Sequence, residues 1–211
     1  MSQFIEHPRE PLRPLVDTPE ALNLCLDSLT SGKGPVAFDA ERAHGHRYWP
    51  RAYLFQIRRE GSGTWLIDPI ALKQDEDTNL GRLTDACADA PWIIHAASQD
   101  LPCMMEVGIR PSVLFDTELA GRLLGAPAVG LAALLEAKLG IRLRKAHSAD
   151  NWAIRPLPMS WLIYAALDVD YLIELADLLR TELTARNRIT WANEEFVHIL
   201  QNFSTPPTPR K

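Results

Sequence analysis

Long hydrophobic runs are missing from this sequence. None reaches the ~18 apolar residues that a membrane-spanning helix needs, so no span is expected. Cysteine is scarce: Cys25, Cys87 and Cys103 are odd in number and fit no zinc-ligand spacing. That argues against a disulfide framework and for a reduced, cytoplasmic compartment. A basic excess is lacking too, since 22 Lys and Arg stand against 27 Asp and Glu for a net charge of −5. A polyanionic partner therefore finds no global positive field and must be held by a local patch or by bound metal. No internal repeat is visible, and Met1 to Pro14 carry prolines and charges with no apolar signal-peptide core. What is present is an ordinary globular composition, 46% hydrophobic and 23% charged. Its 211 residues give room for one large domain, or one domain with an appendage.

The chain is organised around residues 35–42. Val36, Ala37 and Phe38 are a short apolar run that reads as a buried strand, introduced by Gly32 and Gly34. The strand ends in two carboxylates, Asp39 and Glu41, whose period of two puts them on one face. Like charges that close repel, and burying them is costly unless a cation sits between them. Oxygen ligands suit a hard divalent ion. The ordinary alternative is a strand end whose acids are simply hydrated. His44, His46, Arg47 and Arg51 follow, with Tyr48 and Trp49; beside two acids they read as either a solvated loop or a contact for phosphate and bases.

In chain order, residues 1–16 read as an extended arm and 17–203 as the folded domain. Asp17-Thr18-Pro19-Glu20 is a helix start, and the helix runs to about Thr30. Strands at 52–57 and 64–67 are joined by a hairpin over Arg58 to Gly63. Short strands at 92–95 and 113–115 alternate with helices at 79–90, 98–107, 117–124 and 130–139, which predicts a sheet antiparallel at its start and parallel later. Residues 141–157 read as a polar loop, and one long helix is expected from about Met159 to Arg186, then another at 189–202. Residues 204–211 form a Pro-rich linker.

The long helix is apolar nearly all round, yet it holds Asp168 in its middle. A carboxylate there needs a partner or a metal. Tyr164 lies one turn earlier on the same face, and taken alone it is also a plausible core tyrosine. Asp170, on another face, reads as solvated. Asp100 stands in the first turn after a strand, where an acid also complements the helix dipole, and His95 just before it is also an ordinary core histidine. Asp116 reads as a helix cap.

The ordered set Asp39, Glu41, Asp100, Tyr164 and Asp168 resembles the DEDD superfamily of 3′→5′ exonucleases, in the branch with tyrosine in the last motif, and most closely the ribonuclease D family. The matching segments are Asp39-Ala40-Glu41, the His95–Leu101 run, Phe115-Asp116-Thr117 and Tyr164–Asp168, together with Lys145, Ser148, Trp152 and Arg155-Pro156-Leu157. Departures are Ala40 and Arg42, where the family commonly has Thr and Phe, and Asn151 before Trp152.

That resemblance implies an α/β, ribonuclease H-like fold: a mixed five-stranded sheet flanked by helices. It implies a metal-dependent exoribonuclease that releases nucleoside 5′-monophosphates, as in tRNA precursor trimming, from single-stranded RNA 3′ ends. Two divalent ions, Mg²⁺ or Mn²⁺, would be held by Asp39, Glu41, Asp100 and Asp168, with Tyr164 orienting the attacking water. Arg42, His95, Lys145, Trp152 and Arg155 are the expected substrate contacts. The alternatives are a DNA-directed exonuclease and a non-catalytic nucleic-acid-binding module of the same fold. The family's C-terminal HRDC-type helical module is not found in this chain, which suits a fragment, and no obligate protein partner or membrane is expected.

Overall fold

The computed structural model describes residues 2–42, 51–74, 78–143, 147 and 150–204. The Pro-rich segment at 205–211, Lys145, Ser148 and the cluster at His44 to Trp49 lie outside these residues. The chain begins with β1 (Gln3–Ile5) and α1 (Pro19–Ser31). Thr18 caps α1 by accepting from Ala21 N, and Pro19 supplies a first-turn φ without an orphan donor. Then come β2 (Lys33–Arg42), β3 (Ala52–Glu60) and β4 (Gly63–Ile67). Strand β3 runs farther than the expected end at residue 57. The turn is tight because Gly61 and Gly63 take φ of 80° and 73°.

Short helices α2 (Pro69–Leu72) and α3 (Arg82–Ala86) lead to β5 (Trp92–Ile94), a 3₁₀ turn at Ala97–Gln99 and α4 (Leu101–Glu106). The helix expected over 79–90 is thus confined to its middle. Next are β6 (Leu114–Asp116), α5 (Thr117–Leu123), α6 (Leu131–Leu139) and β7 (Ile141–Leu143). The long helix expected from Met159 is two helices, α7 (Met159–Asp170) and α8 (Leu172–Ala185), broken at Tyr171, whose φ and ψ of −118° and 9° leave the helical basin. The last element is α9 (Ile189–Ser204). Among the described residues no helix is long and apolar enough to cross a membrane.

Five strands form one mixed sheet in the order β4-β3-β2-β5-β6. The pairs β2–β3 and β3–β4 are antiparallel, while β2–β5 and β5–β6 are parallel. The carboxyl ends of the three parallel strands therefore lie side by side, and that edge is where open α/β sheets present their ligand sites. Phe38, Phe55 and Trp92 cross the sheet in tilted contact, with ring centroids 5.4 and 5.5 Å apart. Burying each such ring contributes about 1.5–3 kcal/mol. A second apolar cluster, Leu54, Leu66, Trp152, Leu157, Ala165 and Ala166, seats α7 on the other face.

The expected N-terminal arm is extended and tied down. Strand β1 pairs in parallel with β7, inside the segment expected to be loop, and Val16 bridges to Ile67. Between them, Arg9 reaches α7. Its backbone N–H donates to Asp170 Oδ2 at 2.9 Å, its Nε to Oδ1 at 3.3 Å, and its Nη1 pairs with Glu174. Arg58 Nη1 approaches Asp170 from the sheet at 3.6 Å. Asp170, expected to be solvated, is therefore buried at 1% exposure, because a strand arginine and an arm 161 residues away cover its face.

Candidate active site

Asp39 and Glu41 leave the end of β2 on the face covered by α7, and α7 brings Asp168 down onto them. Carboxylate oxygens of Asp39, Glu41 and Asp168 all lie within 4.8 Å of one another. Asp100 stands beside them, close enough for the Asp39 charge to raise its carboxyl. Its loop is held from below by Asp116, which does more than cap α5 through Glu118 N and Leu119 N. Asp116 also accepts from Ala96 N at 3.1 Å and Ala97 N at 2.8 Å. These bonds fix Ala96 in a left-handed conformation, φ 57°, and so set where the following turn delivers Asp100. That second role is not visible in a cap motif.

Glu41 and Asp100 are buried; Asp39 and Asp168 keep part of their surface exposed. Burial pushes the Glu41 carboxyl up to about 10, and the charges of Asp39, Asp168 and Asp100 push the same way. Burial also raises Asp39, Asp100 and Asp168, with the neighbouring Asp39 charge adding to the last two. Arg42 is the cation at the rim, its Nη2 3.7 Å from Asp100 Oδ1, and it is anchored by donating to Gln99 O at 2.6 Å and Gln99 Oε1 at 3.0 Å. Among the described residues, one guanidinium at the edge does not balance four acids. Crowded, desolvated carboxylates with only oxygen donors are a set that fits a hard divalent cation.

The Tyr164 hydroxyl lies beside Asp168, one helical turn on. Burial raises its pKa, and the charges of Asp168, Glu41 and Asp39 raise it further, so it stays protonated near neutral pH and donates. Its ring meets His147 edge-on at 5.7 Å and Trp152 at 6.4 Å. His147 Nδ1 lies 2.5 Å from Asp150 Oδ2.

Other expected contacts fall elsewhere. His95 Nδ1 bonds to Thr117 Oγ1 at 2.9 Å, and burial lowers its pKa to about 4, so it is a neutral part of the scaffold between β5 and α5. Trp152, expected at the substrate, is instead fully buried, with Nε1 donating to His147 O at 3.2 Å. Arg155, expected to meet phosphate, instead grips Asp68 through two bonds of 2.6 and 2.8 Å and donates to Tyr53 O, Trp152 O and Ile154 O. With its fork filled in this way it ties the loop before α7 to the sheet.

Comparison with known proteins gives one consistent result. The 3′-5′ exonuclease family matches residues 15–184. Ribonuclease D of Zymomonas mobilis is 34% identical over 186 residues, covering 87% of this chain and 47% of the relative. A Bifidobacterium adolescentis protein of known structure superposes with a TM-score of 0.94 at 42% identity, covering 100% of this chain and 51% of that one. Escherichia coli RNase D, described as an exoribonuclease involved in structured RNA processing, superposes with a TM-score of 0.84 at 26% identity, covering 95% of this chain and 52% of its own. The chain spans about half the length of the curated relatives it matches.

Proposed function

The chain belongs to the 3′-5′ exonuclease family, and from that premise we propose that it trims RNA from the 3′ end, one nucleoside 5′-monophosphate at a time. The observation that carries this reading is the convergence of Asp39, Glu41 and Asp168, with Asp100 beside them and Arg42 at the rim. Asp39, Glu41, Asp100 and Asp168 are the residues to hold two divalent ions, Mg²⁺ or Mn²⁺. Bound there, such ions supply an activated water and neutralise charge on the phosphate under attack.

The chain's own residues do the rest. Tyr164, kept protonated by burial and by the Asp168 charge beside it, orients the attacking water through its hydroxyl and does not act as base. Arg42, at the rim beside Asp100, is placed to meet a phosphate of the terminal nucleotide. The ion pair of Arg155 with the buried Asp68, and Asp116, keep the two loops that flank the acids in place. RNA is preferred as substrate over DNA because relatives over most of the chain are ribonucleases D. A binding module that had lost the reaction would have no reason to keep four crowded acids with a tyrosine beside one of them. Three buried free thiols fit work in a reducing cytoplasm.

The test is an end-labelled single strand, RNA or DNA, incubated with Mg²⁺, Mn²⁺ or EDTA. RNA should shorten stepwise from its 3′ end, DNA more slowly, and EDTA should stop both. Internal cuts at early times, or trimming that survives EDTA, would contradict the reading.

A further inference from the structure

Gln56 is fully buried in the middle of β3, yet neither its Oε1 nor its Nε2 has a hydrogen-bond partner. Its position is fixed by the sheet. The β2–β3 register sets it directly opposite Asp39, and the β3–β4 register sets it opposite Leu66. Residues opposite each other in an antiparallel pair share a face. The Gln56 side chain therefore stands on the face that carries Asp39 and Glu41, under the helix that carries Asp168. Its neighbours on that face are accounted for: Leu54 belongs to the apolar cluster, and Arg58 holds Thr64, Glu10 and Asp170. Among these three, Gln56 is the one whose polar atoms are unmatched.

A buried amide without partners destabilises a fold, and an apolar side chain of equal length would remove the cost. The position thus carries a polar group that packing alone does not explain. Asp39, its register partner, lies beside Asp100. We propose that Gln56 is a positioning residue for the divalent-cation site: its amide donates to the Asp39 carboxylate when that carboxylate turns to hold a cation. Outer partners of this kind fix the orientation of metal-binding carboxylates and commonly set affinity within tenfold to a hundredfold. The inference rests on reading the acidic cluster as a cation site.

Gln56→Met keeps side-chain length and removes both polar atoms. Mn²⁺ affinity, measured by calorimetry without RNA, should weaken about 10–100-fold, while the melting temperature of the metal-free protein holds or rises. Unchanged affinity would overturn the proposal and leave Gln56 as a group served by buried water. Asp39→Asn is the control that separates the two readings. If it abolishes Mn²⁺ binding while Gln56→Met leaves binding intact, only the role of Gln56 fails; if it binds Mn²⁺ as the parent does, the cation site itself fails. A second measurement needs no variant. In the wild-type protein, the Gln56 side-chain amide resonance should shift on titration with Mg²⁺, and a resonance that stays put contradicts the proposal.

Discussion

Asp168 and Asp170 stand two residues apart on α7, both drawn into the protein, and they are treated in opposite ways. Asp170 is enclosed by Arg9 and Arg58 and has a backbone N–H on one oxygen. Asp168 faces Asp39 and Glu41, with the Tyr164 hydroxyl beside it. The same contrast separates two larger regions. On one side, Asp68 and Asp170 are buried acids matched by arginines, and they hold the arm and the 152–157 loop to the domain. On the other, four acids crowd at the end of β2 with, among the described residues, one guanidinium at the rim. A buried acid that has its cation is structure; buried acids left without one are kept for a ligand that brings positive charge.

The contrast is sharpest in activity. Asp39→Asn should remove RNA trimming, by at least about a thousandfold, without unfolding the chain, because losing one charge from a crowded set relieves repulsion. Trimming rate and metal-free melting temperature, read on one preparation, check this; a large fall in melting temperature would place Asp39 with the structural acids.

A smaller effect is expected at Tyr164. Tyr164→Phe keeps the ring against His147 and Trp152 and removes one hydroxyl, so turnover should fall roughly tenfold to a thousandfold, about 1.4–4 kcal/mol of barrier. Wild-type turnover would make it a core residue.

Asp170→Asn should do the reverse of both. It leaves Arg58 and Arg9 short of a counter-charge and costs roughly 1–3 kcal/mol of stability, while the rate per folded molecule is spared. Denaturant unfolding alongside turnover separates the two; a lost rate at unchanged stability would erase the distinction between the regions.

Much of this could be read in the sequence, and the failures share a cause. The acids at Asp39 and Glu41 were visible because a strand's period of two is local, and the Tyr164–Asp168 pair because one helical turn is local. The strand order, antiparallel then parallel, followed from whether a hairpin or a helix joins each pair. Asp170 was misjudged because helix geometry says which face a residue is on, not what covers it, and its cover comes from residue 9. Trp152 and Arg155 belong to a recognisable motif, but what they meet lies across the chain, Asp68 being 87 positions from Arg155, and that distance left Trp152 buried in the core and Arg155 paired within the fold. The break at Tyr171 has no glycine or proline to announce it. Gln56 had no signal at all, because its interest lies in a partner it does not have.

This division separates the crowded acids, which await a cation, from the arginine-matched ones, which do not. Its most direct test is thermal unfolding of the wild type, Asp168→Asn and Asp170→Asn, with and without Mn²⁺, at pH 5 and pH 8.5. The folded Glu41 carboxyl is raised from 4.5 to about 10, so its proton stabilises the metal-free fold fully below about pH 4.5, and that contribution is lost as pH rises towards 10. Metal-free wild type should therefore be less stable at the higher pH on this account, and Mn²⁺ should raise its melting temperature more there than at pH 5. Asp168→Asn should lose most of that metal-dependent rise. Asp170→Asn should melt lower throughout yet keep the rise. If Asp170→Asn loses the response to Mn²⁺ and Asp168→Asn retains it, the division between the two regions is wrong.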